Sequence, residues 1–253
     1  MIGLGPLLRK ELLEQWRTRR MLVVAIVFTA FGIGSPFLAR YTPELVKALA
    51  GDQLEIIIPP PTVRDAADQF LKNLGQAGIL TAVLLAMGSV AVEKERGTAA
   101  LLLSKPASRA AYLLAKMLGI TATLGVSLAI AAVGGFAYTA FLFETLSPVN
   151  WAAMTGLLLL MLVVYAALTF LGSTLTKSSI AAAGIGVGGM ILVAIIGVLP
   201  GVGPYTPGGL SSPAMALALG TDAGNVIGPL LTNLGLVAGL LAVSWLVFRR
   251  QEL

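Results

Sequence analysis

Six stretches of the chain are almost purely apolar, and the polar residues collect in the pieces between them. The stretches are residues 21–38, 74–92, 117–143, 151–171, 180–199 and 227–248, and none has an Asp, Glu, Lys or Arg in its interior. About 20 apolar residues in a helix cross the hydrocarbon core of a bilayer. The pattern therefore predicts an all-α polytopic membrane protein with six spanning helices, read as a single transmembrane domain over residues 1–253. The first stretch is thinned at its outer end by Gly32, Gly34 and Pro36, where a bend is expected.

The connecting pieces carry their own patterns. In residues 1–20, Leu4, Leu8, Leu12 and Trp16 recur every four residues, with Arg9 and Gln15 at the borders of the stripe. That spacing predicts a helix lying in the headgroup boundary, its apolar face in the membrane and its Lys and Arg near anionic lipid. Charge fills the place where the apolar core of a signal peptide would stand. In the piece 39–73, Thr42-Pro43-Glu44 reads as the start of a separate short helix that Gly51 would stop. Thr62 and Asp65 have capping-box spacing and open a helix with Val63, Ala66, Ala67, Phe70, Leu71 and Leu74 on one face, running on into the second span. The piece 200–229 has one charge, Asp222, and a short apolar helix capped at Ser212, with Pro213 first and Gly220 last. It is too short to span, so a re-entrant or short outer helix between spans five and six is expected.

Charge sets the orientation. Of 17 Lys and Arg, 13 fall on the side that holds residues 1–20, 93–116, 177 and 249–250, and four (Arg40, Lys47, Arg64, Lys72) on the other. Cytoplasmic loops carry the basic excess. Both termini are therefore placed in the cytoplasm, and multi-pass insertion in a prokaryotic plasma membrane is expected. The pI of 9.7 reflects this inner face, and nucleic acid is not expected as a partner. Composition supports the membrane reading: 57% hydrophobic, 11% charged and mean hydropathy +0.90.

Candidate chemistry is sparse. The chain has no Cys and no His, which removes disulfides, thiolate nucleophiles and the commonest general base and metal ligand. No metal site and no catalytic residue are expected. No stretch matches a phosphate-binding loop, and the glycines at 184–189 lie inside an apolar run with no strand before them. The spans hold no acid for proton or sodium coupling. Their hydroxyls, Thr29, Ser127 and Thr169 among them, mostly bond their own backbone. For hydrolytic chemistry only Ser104-Lys105 remains, in a loop beside Pro106. Gly184/Gly188, Gly197/Gly201 and Gly235/Gly239 have the spacing that permits close helix approach, within one bundle or between two copies.

The segment between spans two and three is EKERGTAALLLSKPASR, residues 93–109. Gly97 and Pro106 bracket residues 98–105, room for about two helical turns. Leu101, Leu102 and Leu103 cannot all hide on one face of so short a helix, so some of them meet lipid or a partner protein. Glu93 and Glu95 are the acidic rim of this segment, placed to pair with basic groups. Pro106 presets the first turn of the next helix, where Arg109 and Lys116 lie seven apart as anchors for the inner headgroups.

Glu93, Gly97-Thr98, Leu101-Leu102, Pro106, Ser108-Arg109 and Lys116, placed after the second span, resemble the cytoplasmic signature of ABC-2 type permeases, the membrane halves of type V ABC exporters. The six spans, the helix before span one and the short helices between spans five and six fit the same pattern. The resemblance implies a permease whose 98–105 helix couples to a separate cytoplasmic ABC ATPase in two copies. It also implies a second permease, identical or homologous, and a central route lined by spans two and five. This chain would need no cofactor; Mg-ATP would sit on the partner. The competing reading is a non-transporting membrane anchor or sensor for such an ATPase. An apolar route favours hydrophobic or amphipathic solutes.

Overall fold

The computed structural model describes residues 3–50, 59–99 and 108–251, the side chains of residues 49 and 50 excepted. Nine α-helices run through them in chain order. They are α1 (Leu4–Arg17), α2 (Arg20–Ala50), α3 (Val63–Met87), α4 (Ala91–Glu95), α5 (Arg109–Leu142), α6 (Pro148–Leu175), α7 (Ser179–Gly197), α8 (Ser211–Ala218) and α9 (Ile227–Arg249). No strand occurs among the described residues. Six of the segments are long and apolar enough to cross a membrane: α2, α3 with α4, α5, α6, α7 and α9. The protein is thus an all-α polytopic membrane protein.

The hub is α6, against which α3, α5, α7, α8 and α9 all pack. Its buried residues include Trp151, Met154, Leu158, Leu162, Tyr165 and Phe170. The indole of Trp151 donates to the Ala132 carbonyl at 3.0 Å, so this buried donor is satisfied and α5 is tied to α6. Lipid is as apolar as leucine, so close packing rather than water exclusion selects the helix contacts. Small residues stand where backbones approach. A Cβ added at Gly32 of α2 would lie 2.6 Å from the Ala131 carbonyl oxygen of α5, and one at Gly172 of α6 would lie 2.8 Å from the Ala182 carbonyl oxygen of α7.

The separate helix expected from Thr42 is instead the outer part of α2, which runs unbroken through Pro36 and Pro43; Gly51 lies outside the described residues. Proline at 36 frees the Gly32 carbonyl, which lies against Gly135 of α5, where an added Cβ would be 3.0 Å away. With 31 residues α2 is about 46 Å long, against a core of roughly 30 Å, so its outer turns stand beyond the hydrocarbon.

The capping box at Thr62 and Asp65 is formed, and α3 continues from it into the second span. The outer segment after α7 makes two 3₁₀ turns, Gly203–Tyr205 and Gly208–Leu210, and passes directly into α8. Helix α8 therefore starts at Ser211, one residue before the expected cap, and Gly220 ends its last turn at φ 66°. Leu210, Pro213, Ala214 and Ala218 are buried, and α8 seats against α6 and α3. Between α3, α6 and α8 a cavity of about 470 Å³ opens, with Arg64, Asp68 and Lys72 along one wall and Leu71, Leu157 and Met161 among its apolar lining.

Four of the glycines in close-approach spacing do not pack inside this bundle. A Cβ at Gly184, Gly188, Gly235 or Gly239 would meet nothing within 4 Å. They lie on the bare faces of α7 and α9, whereas the glycines that let helices touch include Gly32, Gly78, Gly135, Gly172 and Gly186.

Candidate functional site

At the end that holds α1 and the flanks of residues 98–107, the helix ends gather most of the chain's buried charge. Helix α1 lies against α5, close enough that a Cβ on Gly119 would be 3.2 Å from the Glu11 Cβ. Its inward face is Leu7, Glu11 and Gln15, with Leu4 and Leu8 half-buried, while Leu12 and Trp16 are exposed. The four-residue stripe therefore splits. Its first half touches the protein, and its second half, with Leu13, faces outward.

After Met87 the chain turns and restarts as α4. Ser173 of α6, fully buried, accepts from the backbone N–H groups of Val90 and Ala91 at 3.0 Å each, satisfying donors at the break. Helix α4 thereby presents Glu93 to the bundle. One carboxylate oxygen of Glu93 accepts from Lys116 at 2.8 Å and Lys10 at 3.0 Å, and the other accepts from the Tyr112 hydroxyl at 2.6 Å. Lys116 is 4% exposed and also donates to Glu11 at 3.2 Å. Lys10 reaches Glu11 at 2.9 Å and Glu14 at 3.1 Å.

Two ammonium groups thus serve three carboxylates, leaving the cluster one negative charge when all are ionised. Burial pulls the Lys10 pKa down, but the hydrogen bond and charge of Glu11, then the charge of Glu93, outweigh it and hold Lys10 above its ordinary value. Glu11, Glu14 and Glu93 bring carboxylate oxygens within 4.8 Å of one another, a donor set of the kind that holds a cation. The Lys10 ammonium stands among them, within 3.1 Å of each.

A second knot lies beside the first. Lys94 donates to the Thr174 carbonyl at 2.7 Å and to the Gln251 side chain at 3.1 Å. Arg109 donates from Nη1 to the carbonyls of Phe248, Arg249 and Gln251 at 2.9–3.0 Å. Phe248, fully buried, stacks on Tyr112 with ring centroids 5.5 Å apart.

The sequence-derived residues fall into three groups. Glu93, Arg109 and Lys116 are drawn into these knots. Glu95 and Thr98 are exposed at the edge, Thr98 donating to the Glu93 carbonyl, and Gly97 stops α4 at φ 69°. Leu101, Leu102 and Pro106 lie outside the described residues. Arg109 and Lys116 were expected to reach headgroups; both turn inward instead. Lys116 faces carboxylates on two other elements, and Arg109 lies under the C-terminal end of α9, where unpaired carbonyls carry the negative end of the helix dipole. Helix α5 is started by Ser108, whose hydroxyl accepts from the Ala111 N–H at 3.1 Å.

Sequence reasoning missed Lys10, Glu11, Tyr112, Ser173 and Gln251. One signal was present: Glu11 shares a helical face with Leu4, Leu7 and Leu8, and a carboxylate turned with leucines toward a bundle needs a cation.

The family model described as ABC-2 family transporter protein matches residues 6–253. A curated relative, the uncharacterized transmembrane protein YxlG of Bacillus subtilis (strain 168), is 30% identical over 252 residues, 97% of each chain. A helix before the first span, six spans and charged helix ends gathered around the second connection accompany a match that runs almost from end to end, and on these grounds the chain belongs to the ABC-2 family of transporter proteins.

Proposed function

We propose that the protein is the permease subunit of an ATP-driven exporter, coupled to a separate cytoplasmic ABC ATPase through the helix expected at residues 98–105. ABC-2 permeases generally work with an ATPase subunit, and the permease is the transport component rather than the catalytic one. The observation that carries the coupling role is the anchoring of both flanks of 98–107. Glu93 and Lys94 on one side and Arg109 on the other are bonded to α1, α5, α6 and the end of α9. A push on a segment held this way is delivered to four helices at once, whereas a plain loop would absorb it.

In this reading ATP with Mg²⁺ closes a pair of ATPase subunits, and the motion enters through Leu101 and Leu102. Two permease copies face each other, which suits the outward glycines and bare faces of α7 and α9. The membrane is the prokaryotic plasma membrane with both termini inside, as the 13-to-4 basic bias favours. The cargo is hydrophobic or amphipathic, in keeping with spans that carry no acid. Replacing Leu101 and Leu102 with Asp is expected to abolish copurification of the ATPase while the permease stays folded. Undiminished pairing overturns the coupling role. Reconstitution with the ATPase, scored by substrate-dependent turnover, separates an exporter from a non-transporting anchor.

A further inference from the structure

Both flanks of residues 98–107 reach the C-terminal end of α9 and Gln251 just beyond it. Lys94, before the segment, holds the side chain of Gln251, and Arg109, after it, holds the carbonyls of Phe248, Arg249 and Gln251. Gln251 completes the joint by donating to the Thr174 carbonyl of α6 at 2.9 Å. The chemistry is matched. The last carbonyls of a helix lack intrahelical partners, and a guanidinium supplies donors and positive charge to them.

Helix α9 is hydrogen-bonded at both ends, and between them Val237, Leu240 and Leu241 pack against the core. Four of its residues are buried: Pro229 and Asn233 toward the outer end, Ser244 and Phe248 toward the inner end. At the outer end the Asn233 amide donates to the Tyr205 carbonyl at 3.1 Å, tying α9 to the first 3₁₀ turn of the segment between spans five and six. Asn233 and Phe248 are separated by about 22 Å of helix. Along the opposite face Leu234, Leu236, Val243 and Leu246 are exposed. A continuous helix bonded at both ends carries a displacement of one end to the other.

We propose that Arg109, Lys94 and Gln251 are positioning residues that make α9 follow the coupling segment, so that motion at the inner face is carried to the outer segment at Tyr205. The source of the motion rests on the coupling role proposed above; the joint does not.

The chain has no cysteine, so single introduced thiols report cleanly. First, in the permease alone in lipid nanodiscs, nitroxides are placed on Arg96→Cys and Arg250→Cys, both exposed positions. The interspin distance distribution is expected to be narrow with the joint intact and to broaden in Arg109→Gln and in the milder Gln251→Ala. An unchanged width in both variants overturns the joint. Second, in the complex with the ATPase, a thiol at Tyr205→Cys is labelled from outside with a charged maleimide under ATP and under ADP. The labelling rate is expected to depend on nucleotide, and this dependence is expected to vanish in Arg109→Gln and Gln251→Ala with the copurified ATPase undiminished. Persistence of the dependence in both variants overturns transmission through α9. If no ATPase copurifies with the native permease, the coupling role fails, and the nitroxide widths alone decide the joint.

Discussion

Helices α6 and α7 are neighbours joined by three residues, and both are apolar from end to end, yet they live in different surroundings. Sixteen residues of α6 are buried, and two of α7, Ala182 and Gly186. Helix α6 carries groups that need partners, Trp151 and Ser173 among them, and each finds one on another helix. Helix α7 touches α6 where Gly172 and Gly186 leave room, and presents Ile191, Leu192 and Ile195 to lipid. Apolarity puts a helix in the membrane; polar groups and small residues decide which face meets protein. The end of the bundle that holds α1 repeats the contrast among charges. Glu93 is bonded to three side chains, while Glu95, two residues on, is exposed.

Four experiments would break or sharpen this contrast. The largest effect is expected at Lys116, because Lys116→Ala leaves Glu11 and Glu93 partly buried with less compensation, at a cost of about 3–5 kcal/mol. Lys177→Ala, at an exposed position, is expected to change stability by no more than about 0.5 kcal/mol. Thermal unfolding in detergent separates the two, and equal midpoints would dissolve the distinction between buried and exposed charge. Next, a Cβ at Gly135 would stand 2.6 Å from the Phe70 ring, so Gly135→Val is expected to cost about 1–3 kcal/mol through overpacking. Gly188→Val on the bare face of α7 is expected to leave monomer stability unchanged. A lowered dimer fraction in that variant, by sedimentation, would assign the face to a second copy.

A comparable effect is expected from Glu93→Gln, about 1.5–3 kcal/mol for its charged hydrogen bonds, against none for Glu95→Gln. The smallest is a pH response. Lys10 is held above its unfolded pKa of about 10.4, so its contribution is complete below that pH and is lost only as pH rises through the folded value. Hydrogen exchange of the α1 amides is expected to show no loosening between about pH 6 and 9 from this group. Release of α1 within that range would assign control of the cluster to another residue.

Much of this could be read along the chain. The six spans follow from run length, because lipid forces unpaired backbone into helices. The capping box at Thr62 and the stop at Gly220 follow from local hydrogen bonding and from the left-handed backbone that glycine tolerates. The helix expected from Thr42-Pro43 failed because Pro43 was read as the first residue of a new helix, and α2 carries it inside. A proline at the start of an apparent new helix can equally sit inside a longer membrane helix, and local sequence does not separate the two cases. The site was half legible. Glu93, Arg109 and Lys116 were picked out as residues, but two were pointed the wrong way, since positive charge near a membrane suggests headgroups until a carboxylate from another helix is seen to face it.

By itself the amino-acid order determined how many times the chain crosses the bilayer, where its basic charge concentrates and which local signals start and stop its helices. Those properties depend on contacts within a few turns and on partition between water and lipid. Only the tertiary structure decided that Lys10, Glu11, Glu93 and Lys116 share one cluster and that Arg109 caps α9. These partners are up to about 140 residues apart in the chain, and buried charges choose one another by distance and geometry, which no spacing along the sequence records.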